Sequence, residues 1–155
     1  MELTNLIGGT APSLSFEVFP PKNSANYESI RAAVEEVASL SPSFISVTYG
    51  AGGGTSDYTV SLAADVQDRF RLPVLAHLSC VNATRAGVRA QLDAMRRRGI
   101  ANVLALRGDM SPGSAPQENW DYRYASELVA EIREYGGFCV GGACYPEGHT
   151  ESPSQ

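Results

Sequence analysis

Five polar side chains lie at or near the ends of apolar segments of the chain: Glu17, Thr48, His77, Arg107 and Asp109. A carboxyl group that loses solvent inside a protein keeps its proton more readily, which makes Glu17 a candidate proton donor near neutral pH. Arg107 and Asp109 directly follow a segment that resembles a buried strand. This position favours a turn that faces a ligand over a turn on the surface.

Each of these residues also has a purely structural explanation. Glu17 could form an ion pair with Arg107 that only stabilises the fold. His77, taken alone, is more often a core histidine with satisfied hydrogen bonds, and Thr48 alone is an ordinary strand residue. Their joint placement, at comparable positions of different strands, favours a shared site.

The elements that would position these groups are five short apolar runs separated by helical patterns. The first large apolar residues of successive runs are 30, 30, 29 and 35 residues apart. Strand–helix units repeated in this way are typical of an α/β fold of the (β/α)8 TIM-barrel family. The runs are SLSFEVF (Ser13–Phe19), FISVTY (Phe44–Tyr49), PVLAHLSC (Pro73–Cys80), NVLALRGD (Asn102–Asp109) and FCVGGACY (Phe138–Tyr145).

Each gap between runs carries an apolar stripe at helical spacing, as expected for an outer layer of helices over a parallel sheet. The first helix is predicted over about 26–40, capped by Ser24 or Asn26, and the second follows Thr55 or Ser56. The third begins after Thr84 and stops at Gly99, and the fourth follows Asp121 and ends at Gly136–Gly137. The predicted inward residues include Leu40, Val88, Leu92, Met95, Tyr124, Leu128 and Ile132.

Alternation of side chains divides each strand into two faces. We expect the bulkier face to contact the helices and the smaller or more polar face to point into the barrel. This places all five polar groups inside the barrel. Arg107 and Asp109 are included because Leu104 and Leu106 form the bulkier, helix-facing side of the fourth run. The groups would then converge on one mouth of the barrel, where barrel enzymes carry out their chemistry.

The 155 residues hold four complete strand–helix units and one further strand. A complete eight-unit barrel usually needs roughly 200 to 250 residues. The tail Pro146–Gln155 has the composition of a loop. We therefore expect residues 1–155 to be the amino-terminal part of a single barrel domain, in preference to an unusual half-barrel.

Composition argues against several kinds of partner. A net charge of −5 disfavours nucleic acid and anionic membranes, and the basic run Arg96–Arg98 is expected at a solvated helix end. No apolar stretch approaches the roughly 18 residues of a membrane span, and the amino terminus lacks a signal-peptide pattern. Without a CxxC motif, Cys80, Cys139 and Cys144 are expected to be buried thiols in a reducing cytoplasm, not a disulfide or a metal site.

Two irregular segments stand out between the helices and strands. Gly50–Thr55 (GAGGGT) resembles a phosphate loop but matches neither GxGxxG nor the Walker motif, so it indicates only a close approach of the backbone to some other group. Met110–Asp121 is the longest irregular stretch, and a loop of that length after a strand is more often functional than not.

Six motifs resemble, in order and spacing, those of the methylenetetrahydrofolate reductase family. The resemblance covers nearly the whole chain, from about residue 14 to residue 149. The motifs are SFEVFPPK (Ser15–Lys22), SVTYGA (Ser46–Ala51), HLSC (His77–Cys80), LALRGD (Leu104–Asp109), YA (Tyr124–Ala125) and YPEGH (Tyr145–His149).

This resemblance implies a flavin-dependent (β/α)8 barrel that reduces 5,10-methylenetetrahydrofolate to 5-methyltetrahydrofolate, a step of one-carbon metabolism and methionine biosynthesis. It implies FAD as the cofactor and NADH or NADPH as the hydride donor, used in a ping-pong route. Full-length members are expected to be cytoplasmic homo-oligomers.

The resemblance also implies roles for individual residues. Glu17 matches the family's general acid, which protonates the folate as its five-membered ring opens. Asp109 matches an aspartate near the flavin pyrimidine edge, where its charge tunes flavin reduction and folate binding. The positions that match those lining FAD are Thr48, Tyr49, Ala51, His77, Arg107, Gly108, Asp109, Ala125, Tyr145 and His149, and Thr48 also lies where the nicotinamide stacks.

The chain departs from the family pattern in two ways. Family sequences continue beyond the YPEGH motif into a helix that holds the FAD phosphates and adenosine, and then into three further strands. The loop Met110–Asp121 is longer than in short bacterial members and carries Trp120. We therefore expect an amino-terminal part of the reductase that is inactive alone. The alternative is a non-catalytic half-barrel that binds flavin or a partner subunit supplying the missing strands.

Overall fold

The computed structural model describes residues 1–21, 23–49, 56–109 and 121–148. Five parallel strands form one sheet in the order β1-β2-β3-β4-β5, and helices alternate with them along the chain. Short 3₁₀ helices cover Leu3–Asn5 and Ser24–Asn26. The main elements are β1 Ser15–Val18, α1 Tyr27–Ala38, β2 Phe44–Val47, α2 Ser56–Phe70, β3 Val74–Ser79, α3 Arg85–Arg97, β4 Asn102–Leu106, α4 Ala125–Tyr135 and β5 Cys139–Gly142.

This order confirms the predicted fold class, an α/β chain of the TIM-barrel family that contains the first four to five units of the barrel. Each strand lies inside the apolar run that predicted it and is shorter than that run. The core lies between the sheet and the helices, because the helix-facing residues of the three central strands are almost fully buried. These include Ile45, Val47, Val74, Ala76, Leu78, Val103 and Ala105.

Helix α3 follows the sequence prediction closely. The Thr84 side chain caps its first turn by accepting a hydrogen bond from the Gly87 N–H at 3.1 Å. The Asp121 carboxylate accepts a second one from the Arg85 N–H at 2.6 Å. The predicted inward residues Val88, Leu92 and Met95 are all buried, and the chain leaves the helix through Gly99, whose φ is +69°.

The ends of α1 and α4 differ from the prediction in detail. Helix α1 ends at Ala38, and Leu40 is exposed. Tyr124 serves as the N-cap of α4 and is also exposed, while Tyr122, two residues earlier, is buried in its place. The N-cap residue does not have helical backbone angles, so its side chain does not continue the apolar stripe of the helix. Tyr124 therefore does not reach the core.

Arg96 does more than occupy a solvated helix end. Its guanidinium donates a hydrogen bond to the Gly136 carbonyl at 2.6 Å and lies 4.3 Å from the centre of the Tyr135 ring. It therefore satisfies a carbonyl that the end of α4 leaves unpaired and joins the ends of two neighbouring helices.

The three cysteines differ in exposure. Cys80 is buried, Cys139 is half-buried and Cys144 is exposed, and all three are free thiols. The expectation of a buried thiol is therefore wrong for Cys144, because β5 ends at Gly142 and the chain has left the sheet by that point. Within the described part of the chain, no helix has the length and apolar character needed to cross a bilayer.

The register between β3 and β4 overturns one predicted face. His77 pairs with Leu104 and Ser79 with Leu106, so both leucines share the inner face of the sheet with His77. Ala105 lies on the helix-covered face and is fully buried. The prediction that Leu104 and Leu106 contact the helices is therefore wrong.

The inward prediction for Arg107 and Asp109 depended on Leu104 and Leu106 facing the helices, and the register shows that they do not. Strand β4 ends at Leu106, so alternation does not extend to the residues that follow. The positions of Arg107 and Asp109 depend instead on the turn that they form at the end of the strand, which is described below.

Asn102, the first residue of β4, ties the amino-terminal segment to the bottom of the sheet. Its side-chain oxygen accepts a hydrogen bond from the Leu3 N–H at 2.8 Å, and its amide nitrogen donates to the Val74 and Met1 carbonyls at 3.0 and 3.1 Å. Asn102 and Leu3 are both buried. One asparagine therefore satisfies three backbone groups at the end of the barrel opposite the candidate site.

Replacement of Asn102 by Ala is expected to lower the free energy of unfolding by about 2–3 kcal/mol, because buried backbone groups lose their partners. Urea unfolding followed by circular dichroism measures this loss. Asn26→Ala is the matched control, since Asn26 makes no side-chain capping bond, and it should change the stability by less than about 0.5 kcal/mol. Equal stability of the two variants would contradict this role of Asn102.

Candidate active site

The structure brings Glu17 and His77 together on the inner face of the sheet. Glu17 is the third residue of β1 and His77 the fourth of β3, and β2 lies between these strands. The Glu17 side chain spans β2, on the face that Ser46 shares, so that its Oε2 lies 3.6 Å from His77 Nε2. Two groups able to exchange protons therefore lie in near contact although their strands are not neighbours.

His77 is held in an environment that favours its neutral form. Its side chain is only 8% exposed, and burial lowers the pKa of His77 below its usual value of 6.5, while the Glu17 carboxylate opposes this shift. Among the described residues, Nε2 has no hydrogen-bond partner. A buried ring nitrogen in this state is suited to pair with a polar atom of a ligand inside the barrel.

Glu17 differs from the expectation that it is withdrawn from water. Its side chain is 50% exposed, because the inner face of an edge strand is open in the described part of the chain. Among the described residues Glu17 lies close to His77 and forms no ion pair with Arg107. The Glu17 carboxyl group therefore lies beside His77 at the inner face of the sheet.

The turn Arg107–Gly108–Asp109 is held against the end of β3. The Arg107 carbonyl accepts hydrogen bonds from the Val81 N–H at 2.7 Å and from the Ser79 hydroxyl at 3.0 Å. Gly108 has a φ of +82°, and a Cβ at this position would lie 2.1 Å from Ser79 Oγ. Only glycine fits this turn, because both the backbone conformation and the space exclude a side chain.

The remaining candidate residues lie near the same end of the sheet. Thr48 directly follows β2, and its N–H donates to the Val18 carbonyl at 3.0 Å. Tyr49 is half-buried against the core, and Ala125 is the first residue of α4. Tyr145 follows β5 and is exposed.

Two candidate residues, Ala51 and His149, lie outside the described residues, as do Gly50–Thr55 and positions 110–120 of the predicted loop. Their predicted contacts with a cofactor stay predictions.

The sequence patterns indicate no role for Ser79 and do not predict the close packing of Gly108. The available signal for Ser79 was alternation, which puts it on the same face as His77 at the end of its strand. The contact between Ser79 and Gly108 depends on the register of two strands, which no single run of sequence specifies.

The buried state of His77 has a measurable consequence. Because its pKa is lower in the folded than in the unfolded state, the unfolded chain binds more protons as the pH falls below about 6.5, and stability decreases there. Between about pH 6.5 and 5.5 this group should account for up to about 1 kcal/mol of lost stability. His77→Gln should remove that part of the pH dependence in urea unfolding. An unchanged pH dependence would contradict a lowered pKa of His77 in the folded state.

The geometry defines a protein of the (β/α)-barrel class with a glutamate–histidine pair near the carboxyl ends of β1 and β3, where such proteins bind ligands. A model of the family described as methylenetetrahydrofolate reductase matches residues 3–155. The chain belongs to the methylenetetrahydrofolate reductase family.

Individual relatives agree with this assignment. The 5,10-methylenetetrahydrofolate reductase of Escherichia coli (strain K12) is 39% identical over 142 residues, which cover 92% of this chain and 47% of that protein. Methylenetetrahydrofolate reductase 2 of Schizosaccharomyces pombe is 37% identical over 146 residues, covering 89% of this chain and 22% of that protein. Methylenetetrahydrofolate reductase (NADH) 1 of Arabidopsis thaliana is 36% identical over 145 residues, covering 90% and 24%. The chain thus spans about half the length of the bacterial relatives it matches.

Proposed function

We propose that this chain is the amino-terminal part of a single (β/α)8 reductase domain that converts 5,10-methylenetetrahydrofolate to 5-methyltetrahydrofolate with NADH or NADPH as the electron source. The observation that carries the proposal is the Glu17–His77 pair, at 3.6 Å on the inner face of the sheet, in a chain that matches the reductase family over residues 3–155. The name of the Arabidopsis thaliana relative includes NADH, which supports a nicotinamide donor.

In this proposal Glu17 is the catalytic acid. Opening of the folate's five-membered ring requires a proton on the departing nitrogen, and a carboxyl group at the inner face of the barrel can supply it. His77, buried and neutral, lies beside Glu17 and presents its Nε2 to the ligand. The strands absent from this chain would exclude water from the pair.

The described residues fit FAD as the cofactor. The unpaired Nε2 of His77 offers a polar contact at the inner face, and Gly108 brings the backbone of its turn close to the end of β3 without a side chain. Arg107, Asp109 and Ala125 would complete one side of the binding site. When bound, FAD would supply hydride transfer between the nicotinamide and the folate.

The visible absorption spectrum of the purified chain tests cofactor binding. We expect weak binding of added FAD by the 155 residues alone. We expect stoichiometric flavin that survives gel filtration once the chain is joined to the carboxyl-terminal part of its Escherichia coli relative, a fusion called the completed barrel below. A folded completed barrel that binds no flavin would contradict the proposal.

The alternative, a non-catalytic half-barrel with a partner subunit, has one supporting observation. In the described sheet β1 pairs with β2 and β5 with β4, and each of these outer strands has a second edge. Phe19, just beyond β1, is 67% exposed. Exposed strand edges beside large apolar residues favour pairing with another chain. A stable complex between this chain and a separately expressed carboxyl-terminal part, without folate reduction, would support this alternative.

A further inference from the structure

Ser79 ends β3 on the inner face of the sheet, two residues after His77. Its hydroxyl donates to the Arg107 carbonyl at 3.0 Å and accepts a longer hydrogen bond from the Val81 N–H at 3.4 Å. One side chain therefore joins the end of β3 to the first residue of the turn that follows β4.

The contact between Ser79 and the turn is one of close packing as well as hydrogen bonding. A Cβ at Gly108 would lie 2.1 Å from Ser79 Oγ and 3.3 Å from Ser79 Cβ, so the serine fills the space beside the glycine. Removal of the hydroxyl would leave a gap into which the turn can move, because well-packed positions are defined by contact on all sides.

Other contacts keep the strands paired without Ser79. The Val81 N–H still donates to the Arg107 carbonyl at 2.7 Å, and the Cys80 N–H donates to the Leu106 carbonyl at 3.0 Å. Loss of the Ser79 hydroxyl should therefore alter the position of the turn more than the stability of the fold.

We propose that Ser79 is a positioning residue: it fixes the turn Arg107–Gly108–Asp109, and through it the Asp109 carboxylate, for ligand binding at the candidate active site. This inference rests on the proposed function, in which Arg107 and Asp109 contact FAD. It assigns to Ser79 no contact with the reacting atoms.

A double-mutant cycle in the completed barrel tests the proposal through FAD affinity. Ser79→Ala should weaken FAD binding by about 10-fold, the upper range for one neutral hydrogen bond. Ser79→Thr, which keeps the hydroxyl, should bind within about 3-fold of the parent. If Ser79 acts through Asp109, adding Ser79→Ala to Asp109→Asn should cause little further loss, whereas independent roles would give additive losses.

Ser39→Ala is the matched control, because the Ser39 hydroxyl also donates to a backbone carbonyl, that of Glu36 at 2.6 Å, but just after the end of α1. It should leave FAD affinity unchanged. Additive effects in the cycle, or an equal effect of Ser39→Ala, would overturn the proposal.

A measurement without flavin separates failure of this inference from failure of the proposed function. In the 155-residue chain, the backbone order parameter of the Gly108 amide should fall in Ser79→Ala from about 0.85 to below about 0.6, the ranges of rigid and flexible backbone. The amides of His77 and Leu104 should stay rigid in the same variant. An unchanged Gly108 amide would overturn the positioning role even if FAD binds, and a completed barrel without FAD binding would refute only the proposed function.

Discussion

Replacement of Glu17 by Gln in the completed barrel is expected to slow folate reduction strongly while FAD stays bound and reducible by NADH or NADPH. The amide keeps the size and polarity of the side chain but cannot deliver a proton to the folate as its ring opens. General acid catalysis typically contributes a factor of about 100 to 10,000, so the folate half-reaction should slow by at least about 100-fold. Stopped-flow absorbance of the two half-reactions, measured separately under anaerobic conditions, gives both rates.

The matched control is Glu28→Gln on the surface of α1. The Glu28 side chain is 78% exposed and pairs with Arg31 of the same helix, so both half-reactions should keep the parent rates. Equal slowing of flavin reduction and folate reduction in Glu17→Gln would show that Glu17 shapes the flavin site instead of acting as the acid.

Replacement of Gly108 by Ala is expected to lower the free energy of unfolding by about 3–5 kcal/mol, the sum of backbone strain and overpacking. The φ of +82° disfavours any residue with a Cβ, and the added methyl would lie 2.1 Å from Ser79 Oγ and 2.7 Å from a methyl carbon of Val81. The Ser79 hydroxyl cannot rotate away without losing its hydrogen bond to the Arg107 carbonyl. Urea unfolding measures this loss of stability. FAD titration of the completed barrel should also show weaker FAD binding, because the turn is displaced.

Gly99→Ala separates the two contributions to this loss. Gly99 also has a positive φ, +69°, but nothing lies within 4 Å of the position of an added Cβ. The free energy of unfolding of Gly99→Ala should therefore fall only by the cost of backbone strain, about 1 kcal/mol. A Gly108→Ala variant no less stable than Gly99→Ala would contradict the close packing of the turn on β3.

The arrangement of strands and helices could be predicted from sequence because it depends on local patterns. Thr84 caps α3 and Gly99 ends it, as the residue types indicated. The inward face of α3 follows from helical spacing, since a helix over a sheet has one apolar stripe.

The faces of β4 could not be predicted in the same way. A strand in a barrel is covered on both sides, so large residues are found on either face, and the size of Leu104 and Leu106 does not identify the helix side. The register with β3 decides the matter by pairing Leu104 with His77. Register depends on contacts between distant segments, which alternation within one run does not contain.

The candidate site was predicted in part. The types and strand positions of Glu17 and His77 indicated a polar inner face, but not that the two side chains would reach across β2 to each other. The exposure of Glu17 depends on which strands cover β1, and the role of Asn102 depends on the path of the amino-terminal segment. Both are properties of the assembled sheet and not of any single motif.

The most direct test of the central claim is the anaerobic reaction of the reduced, flavin-bound completed barrel with 5,10-methylenetetrahydrofolate. We predict reoxidation of the flavin with formation of one equivalent of 5-methyltetrahydrofolate. A completed barrel that binds FAD and is reduced by NADH or NADPH, but is not reoxidised by the folate, would contradict the assignment of this chain to the catalytic part of the reductase.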